Sequence, residues 1–216
     1  METLDYIIDK WQLDVRRRSP IEIPGVGRND LAVLFGELGF RVGAEIGTEQ
    51  GVYAEMLCRA NPGLRLYCVD PWLAYRGYRD HVSQSQLDSF YEAVKVRLAA
   101  YDVRLVRAFS VEAAMGVEEG SLDFVYIDAN HDLLHVIEDI TAWAPKVRPG
   151  GIVSGHDYVE HKNYSNAMHV LPALQAYTRS YQVTPWFVLG TKLEVSVARD
   201  RPRSWLWVKS ADRREK

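Results

Sequence analysis

The chain has 216 residues, of which 47% are hydrophobic, and this length and composition suit a single globular domain, residues 1–216, with a buried core. Its formal net charge of −3 lacks the basic surplus of nucleic-acid-binding proteins, so we expect no nucleic-acid partner. The sequence shows neither a signal-peptide pattern nor an apolar run long enough to span a membrane. These features predict a cytoplasmic protein without a membrane partner.

The N-terminal region indicates a helix followed by a loop. Residues 4–15 carry four apolar side chains at helical spacing: Leu4, Ile7, Ile8 and Trp11. Residues 20–27 are rich in Pro and Gly and predict a loop. We expect residues 1–28 to be a helical extension that covers the site as a lid or contributes to a homo-oligomer interface. The core would span residues 29–210, and residues 211–216 would be a charged tail.

Residues 42–53 indicate a short buried strand, a tight glycine turn and the start of a helix. Gly47 lies where the strand must end, and Gly51 lies where the helix would begin to pack against the sheet. A turn of this kind points backbone N–H groups at a ligand above the sheet. Glu45 is a charged residue near the end of the apolar strand, which is costly unless the side chain has a partner.

The spacing E-x-G-x-x-x-G differs from the dinucleotide fingerprint G-x-G-x-x-G, because Glu49 stands near the position of the second glycine. An acidic side chain disfavours a pyrophosphate and suits a cationic or zwitterionic ligand. A predicted strand at residues 64–69 ends in Asp70, where a carboxylate can hold the hydroxyl pair of a ribose. This unit therefore favours a nucleoside without phosphate, such as S-adenosylmethionine. An ordinary strand–helix turn without a ligand is the alternative.

The rest of the chain alternates between strand and helix patterns. Three further apolar runs are typical of buried strands: residues 103–107, 122–127 and 152–154. Helical patterns fall at residues 52–60, 85–100, 132–145 and 166–181. Three β-rich runs end the sequence, and they read as antiparallel strands: residues 184–189, 193–198 and 204–209. We therefore predict an α/β, Rossmann-like, doubly wound sheet of about seven strands, mostly parallel, with an antiparallel C-terminal edge and an N-terminal helical extension.

Polar side chains follow the predicted fourth and fifth strands, where catalytic groups gather in open α/β sheets: Asp128, His131, His156 and Asp157. Two carboxylates with an imidazole can hold a divalent metal such as Mg²⁺ or Mn²⁺. Such a metal would bind an acceptor hydroxyl and lower its pKa. The bland alternative is that each of these residues is only solvated or caps a helix. The aromatic residues of the loop at 71–83 could stack on a base, wall the acceptor pocket or merely pack the loop down.

Four segments as an ordered group resemble class I S-adenosylmethionine-dependent methyltransferases, especially the branch with the macrocin and mycinamicin sugar O-methyltransferases: AEIGTEQG at 44–51, CVDPW at 68–72, DFVYIDANH at 123–131 and RPGGIVSGHDY at 148–158. The departure is Glu49, where many members have another glycine. The resemblance implies O-methylation of a hydroxyl on a small molecule, a sugar or natural product, with S-adenosylmethionine and a divalent metal.

The resemblance also implies roles for individual residues. Those expected to bind the cofactor are Glu45, Gly47, Thr48, Gly51, Asp70, Pro71, Trp72, Ser110 and Asp128. Asp128, Asp157 and His156 would bind the metal, and His131 would be the general base. Three alternatives stay open: a metal-independent methyltransferase of the same fold, an NAD-dependent Rossmann enzyme, and a non-catalytic nucleoside-binding module.

Overall fold

The computed structural model describes residues 2–75, 83–159, 168–192 and 202–210. Its strands are β1 Ile21–Ile23, β2 Val42–Ile46, β3 Arg65–Asp70, β4 Val103–Arg107, β5 Leu122–Ile127, β6 Val147–Tyr158, β7 Phe187–Leu189 and β8 Arg203–Val208. Its α-helices are α1 Thr3–Trp11, α2 Arg28–Glu37, α3 Val52–Ala60, α4 Gln84–Arg97, α5 Ser110–Met115, α6 Leu133–Trp143 and α7 Val170–Ser180. None of these helices is both long and apolar enough to cross a membrane.

The strands form one sheet in the order β1-β7-β8-β6-β5-β2-β3-β4. All pairings are parallel except those of β8, which runs antiparallel to both β6 and β7. The prediction of a mostly parallel, Rossmann-like sheet with a reversed C-terminal strand is therefore confirmed. The reversed strand lies third from the edge, because β7 and β1 continue the sheet beyond it.

The sheet has eight strands rather than about seven, since residues 20–27 are not entirely a loop. Ile21 and Ile23 are buried and alternate with the half-buried Glu22, and this segment pairs in parallel with β7. A three-residue strand flanked by Pro and Gly carries too little periodicity to be recognised in the sequence. The N-terminal segment thus contributes a strand to the sheet as well as a helix. The predicted strand at 193–198 and the tail at 211–216 lie outside the described residues.

Two apolar clusters cover the two faces of the sheet. One contains side chains of α1 to α4, and the other contains side chains of α5 to α7. Burial on both faces explains why the central strands read as nearly continuous apolar runs. This arrangement leaves the carboxyl ends of the parallel strands as the edge at which a site can form.

Helix α1 lies at the opposite edge of the sheet. It ends at Trp11, because Gln12 takes a left-handed conformation with a φ of 51°. The Thr3 hydroxyl donates a hydrogen bond of 2.6 Å to the carbonyl oxygen of Gly150, near the amino end of β6. Lys10 pairs with Glu37 at the last turn of α2 at 2.8 Å. This position does not suit a lid over the carboxyl ends of the strands, whereas a homo-oligomer interface stays a prediction.

Candidate active site

A cavity of about 780 Å³ opens at the carboxyl ends of the central parallel strands. Its walls come from the turn after β2, the end of β3, the start of α5, the end of β5 and the first turns of α6. Most of the residues that the sequence assigns to cofactor binding line it: Glu45, Gly47, Thr48, Asp70, Pro71, Ser110 and Asp128. His131 lines it as well, so the predicted nucleoside and acceptor groups share one space.

Gly47 shapes the turn through its contact with the neighbouring strand. Its φ is 90°, and its N–H donates to the carbonyl oxygen of Val69 at 2.8 Å. A Cβ at this position would collide with the carbonyl oxygen of Asp128 at the end of β5. Gly51, at the start of α3, has a φ of 70°, and a Cβ there would meet Val94 of α4 rather than the sheet. Packing against β5 therefore requires glycine at position 47, whereas the left-handed backbone favours it at position 51, which is not among the residues that line the cavity.

Glu45 is a buried acidic side chain on the cavity wall. It is 3% exposed, and its Oε2 makes no hydrogen bond of normal geometry among the described residues. Burial raises the pKa of Glu45 to about 8, although the neighbouring Thr48 hydroxyl lowers it in part. The negative charges of Asp128 and Asp70 raise it further. The carboxyl group is therefore largely protonated at neutral pH, and an approaching cation would favour its ionised form.

Asp70 fastens two turns together. Its Oδ2 accepts a hydrogen bond from the Glu49 N–H at 2.9 Å, and its Oδ1 accepts one from the Trp72 N–H at 2.7 Å. Burial raises the pKa of the Asp70 carboxyl, and these two N–H groups oppose that effect. Glu49 and Trp72 both have left-handed backbones, with φ of 44° and 41°. Such strained residues persist where surrounding contacts over-determine them, which is common at ligand sites.

The side chain of Trp72 lies in the core and not in the cavity. It is fully buried, its ring lies 4.8 Å from that of Tyr91, and its indole N–H donates to the Glu49 carbonyl oxygen at 2.8 Å. It therefore supports the loop instead of stacking on a base. Tyr75 does line the cavity, edge-on to Phe109 at 5.3 Å. The other loop aromatics considered, Tyr78 and His81, lie outside the described residues.

Ser110 and Asp139 form the wall at the β4 side. The Ser110 Oγ accepts a hydrogen bond of 2.9 Å from the indole N–H of Trp143. Asp139 is 4% exposed, and burial raises its pKa to about 7, with a hydrogen bond to Ser110 opposing the shift. Asp139 was not predicted as a site residue from the sequence. The available signal was an acidic residue on the apolar face of α6, between Val136 and Trp143.

The carboxylates and the imidazole at the ends of β5 and β6 meet at the other side. His131 Nε2 lies 2.9 Å from Asp157 Oδ2 and 3.5 Å from Asp128 Oδ1. One ligand atom from each of these three residues falls within 4.8 Å of the other two. His131 Nε2 is buried, and neither carboxylate approaches it in hydrogen-bonding geometry. An imidazole nitrogen and two carboxylate oxygens grouped this closely fit a divalent cation.

His156 takes a different place from the one assigned to it. Its Nδ1 lies 3.3 Å from Asp157 Oδ2 and 3.7 Å from Asp128 Oδ2, and it is not part of the compact group of ligand atoms. Its carbonyl oxygen accepts a hydrogen bond from the Trp205 indole at 2.9 Å. The ring is therefore placed to orient the two carboxylates. Asp157 follows with a left-handed backbone, with a φ of 59°.

The charges of this cluster change the expected state of His131. Burial alone would lower the pKa of His131, but Asp128 and Asp157 outweigh burial and raise it to about 10. The two histidines hold the pKa of Asp157 well below its usual range, against the effect of burial. A pKa of this size favours the imidazolium form of His131 at neutral pH, so a role as base requires that the charges of the two carboxylates be neutralised. The nearby His135 pairs with Asp132 at 2.7 Å and does not belong to the compact group.

Arg28 is a second residue of the cavity that was not predicted as a site residue from the sequence. Its guanidinium lies 3.9 Å from Asp128 Oδ2 and 5.3 Å above the ring centre of Tyr53. The Tyr53 hydroxyl donates to the Arg28 carbonyl oxygen at 2.7 Å, which ties the start of α2 to α3. Arg28 is the only Arg or Lys among the described residues that line the cavity. No motif marks it in the sequence, where it directly follows the Pro- and Gly-rich segment 20–27.

Solved structures share this fold. An O-methyltransferase from Bacillus cereus in complex with S-adenosylhomocysteine is 19% identical, with a TM-score of 0.59, and the match covers 96% of this chain and 90% of that one. TomG from Streptomyces achromogenes, an O-methyltransferase involved in tomaymycin synthesis and solved with S-adenosylmethionine, is 18% identical, with a TM-score of 0.58 and coverages of 97% and 90%. A protein provisionally called a caffeoyl-CoA O-methyltransferase, from Staphylococcus aureus, is 14% identical, with a TM-score of 0.59 and coverages of 96% and 90%.

Sequence comparison reaches a family. Among curated proteins, none matches this sequence significantly. The family model described as "Methyltransferase domain" matches residues 44–158. That range is more than half of the chain, and it contains the glycine turn, Asp70 and the cluster of Asp128, His131 and Asp157. The chain therefore belongs to the Methyltransferase domain family.

Proposed function

We propose that this protein transfers a methyl group from S-adenosylmethionine to a hydroxyl of a small molecule, a sugar or another natural product, with the help of Mg²⁺ or Mn²⁺. One observation carries the proposal: a single cavity is lined both by Glu45 and Asp70 of the nucleoside-type site and by Asp128 and His131, which form a compact group with Asp157. The O-methyltransferases solved with S-adenosylmethionine and S-adenosylhomocysteine support the cofactor. Within the family, we place the chain nearest the macrocin and mycinamicin branch on its sequence segments.

The cavity disfavours the rival cofactor NAD. Six acidic residues line it: Glu45, Glu49, Asp70, Asp128, Glu138 and Asp139. A pyrophosphate would face these carboxyl groups, whereas the sulfonium and ammonium groups of S-adenosylmethionine are attracted to those that are ionised. Glu49 moreover lines the cavity with a left-handed backbone, near the position where a dinucleotide site needs a glycine.

The chemistry requires the acceptor oxygen to lose its proton and attack the methyl carbon as the carbon–sulfur bond breaks. The products are the methyl ether and S-adenosylhomocysteine. The sulfonium is already an activated leaving group, so alignment and deprotonation are what the protein must supply. Asp128 and Asp157 would hold the divalent cation, and His156 would keep their carboxylates oriented.

The role of His131 follows from the charges around it. A divalent cation on Asp128 and Asp157 would lower the pKa of the acceptor hydroxyl and cancel the two charges that keep His131 protonated. The neutral imidazole of His131 would then accept the hydroxyl proton. His131 could instead be the third ligand, since its Nε2 belongs to the compact group. Metal affinity after its substitution separates these two roles.

Calorimetry with S-adenosylmethionine, S-adenosylhomocysteine and NAD tests the cofactor directly. We expect binding of the first two and none of NAD; binding of NAD alone would overturn the proposal. A screen for transfer of an isotopically labelled methyl group to hydroxylated compounds then tests the reaction. Turnover that persists in a strong chelator would favour the metal-independent alternative and leave the methyl-donor site standing.

A further inference from the structure

We propose that the guanidinium of Arg28 binds the carboxylate of the methionine part of S-adenosylmethionine and thereby selects the amino-acid end of the cofactor. This inference rests on the proposed function. It adds a specificity-determining residue that lies outside residues 44–158, the range matched by the family model.

The charges of the cavity wall make Arg28 the favoured partner for a carboxylate. The cavity wall carries six acidic residues, and Arg28 is its only Arg or Lys among the described residues. S-adenosylmethionine carries a sulfonium, an ammonium and a single anionic group, the carboxylate. That carboxylate would be repelled by the ionised acidic residues of the wall and attracted to Arg28, whose guanidinium stays charged whatever the protonation state of His131. Arg also presents a planar fork of N–H donors that matches a carboxylate with two parallel hydrogen bonds.

The positions of Asp70, Asp128 and Arg28 along the sheet fit this contact as well. Asp70, the residue expected to hold the ribose, ends β3, and Asp128 follows β5, with β2 between them. Two strand spacings separate these points, which is about 10 Å. Arg28 stands at the β5 side, 3.9 Å from Asp128 Oδ2. A ligand with its ribose at Asp70 would therefore extend its methionine part over the glycine turn towards Arg28.

Contacts with Tyr53 hold Arg28 in place. The Tyr53 hydroxyl donates to the Arg28 carbonyl oxygen at 2.7 Å, and the guanidinium lies over the Tyr53 ring. Tyr53 is 7% exposed and packs against Tyr126 of β5 with ring centres 4.4 Å apart. The guanidinium stands 3.9 Å from Asp128 Oδ2, so these contacts fix its position on the cavity wall at the β5 side.

The test compares two ligands that differ in the carboxylate alone. Binding of S-adenosylmethionine and of decarboxylated S-adenosylmethionine is measured by calorimetry for the wild type, Arg28→Gln and Arg28→Lys. Arg28→Gln should weaken binding of S-adenosylmethionine by about 10- to 100-fold, the usual worth of a charged hydrogen bond, and change that of the decarboxylated ligand by less than about threefold. Arg28→Lys keeps the charge without the fork and should lose less.

Arg17→Gln is the matched control, because it removes the same charge from an exposed position. Equal losses for both ligands, or no loss for either, would overturn the inference and leave Arg28 a role in holding Asp128 or an acceptor. A wild type that binds neither ligand would instead overturn the proposed function itself. Thermal unfolding of each variant checks that the fold is intact; if Arg28→Gln does not fold, Arg28→Lys with the same two ligands decides.

Discussion

Replacing Glu45 by Gln should make the stability of the protein less dependent on pH. In the unfolded chain the carboxyl group loses its proton around its ordinary pKa of 4.5, whereas in the folded protein burial raises that pKa to about 8. Between these values the folded state binds the proton and the unfolded state does not, so the free energy of unfolding falls as pH rises. The contribution is fully present below pH 4.5 and is lost as pH rises through 8.

The size of the effect follows from the shift. Each pKa unit corresponds to about 1.4 kcal/mol, so this group alone should remove about 3 kcal/mol between pH 5.5 and 7.5. Gln has nearly the same shape and does not titrate in this range. The difference in unfolding free energy between Glu45→Gln and the wild type should therefore move by that amount in favour of the variant as the pH is raised.

Urea unfolding of the ligand-free protein at pH 5.5, 6.5 and 7.5 measures this difference. Glu119→Gln, the same change at an exposed position, is the control and should leave the pH dependence unaltered. Parallel pH dependences for the wild type and Glu45→Gln would show that Glu45 titrates alike in the folded and unfolded chain. That result would refute the idea of a buried, protonated acid on the cavity wall.

Four further predictions concern the same cavity. Asp70→Asn should weaken S-adenosylmethionine binding by about 10-fold or more in calorimetry and also lower the melting temperature, because the carboxylate holds two backbone N–H groups besides the expected ribose; lost stability with unchanged affinity would contradict the ribose role. Gly47→Ala should unfold at lower urea concentration, since its Cβ meets the Asp128 carbonyl, and a variant as stable as the wild type would contradict that contact. A chelator should abolish turnover and Mg²⁺ should restore it, while His131→Ala should lower turnover by roughly 10²- to 10⁴-fold; unchanged metal affinity in the variant would support a base, and weakened affinity a ligand.

The sequence predicts the central sheet well because each strand there is specified locally. Residues 103–107 and 122–127 were assigned to strands with the bounds that β4 and β5 have, and residues 52–60 to the helix that α3 forms. An apolar run followed by turn residues is sufficient for such elements. β1 was not predicted because three residues are too few to show a strand periodicity. Its pairing partner β7 lies more than 160 residues further along the chain.

The location of the candidate site could be predicted from the sequence, but the charge states of its residues could not. Strand ends locate Asp128 and Asp157 at one edge, yet the pKa of His131 depends on an oxygen 2.9 Å away that belongs to a neighbouring strand. Trp72 was assigned to the cofactor through the family resemblance of the segment at 68–72, whereas its burial against Tyr91 of α4 is a tertiary contact. Residue type and spacing do not encode such contacts.

The position of β8 has a consequence for how the protein is made. Within the described chain, β1 bonds only to β7, and β7 joins the rest of the sheet only through β8. The strand formed early in synthesis, Ile21–Ile23, therefore cannot dock until Arg203–Val208 has left the ribosome. A nascent chain that stops before Arg203 would keep the five-stranded parallel block but leave β6 as an open edge, a surface that templates aggregation. Docking of β1 is thus coupled to synthesis of the segment that contains β8.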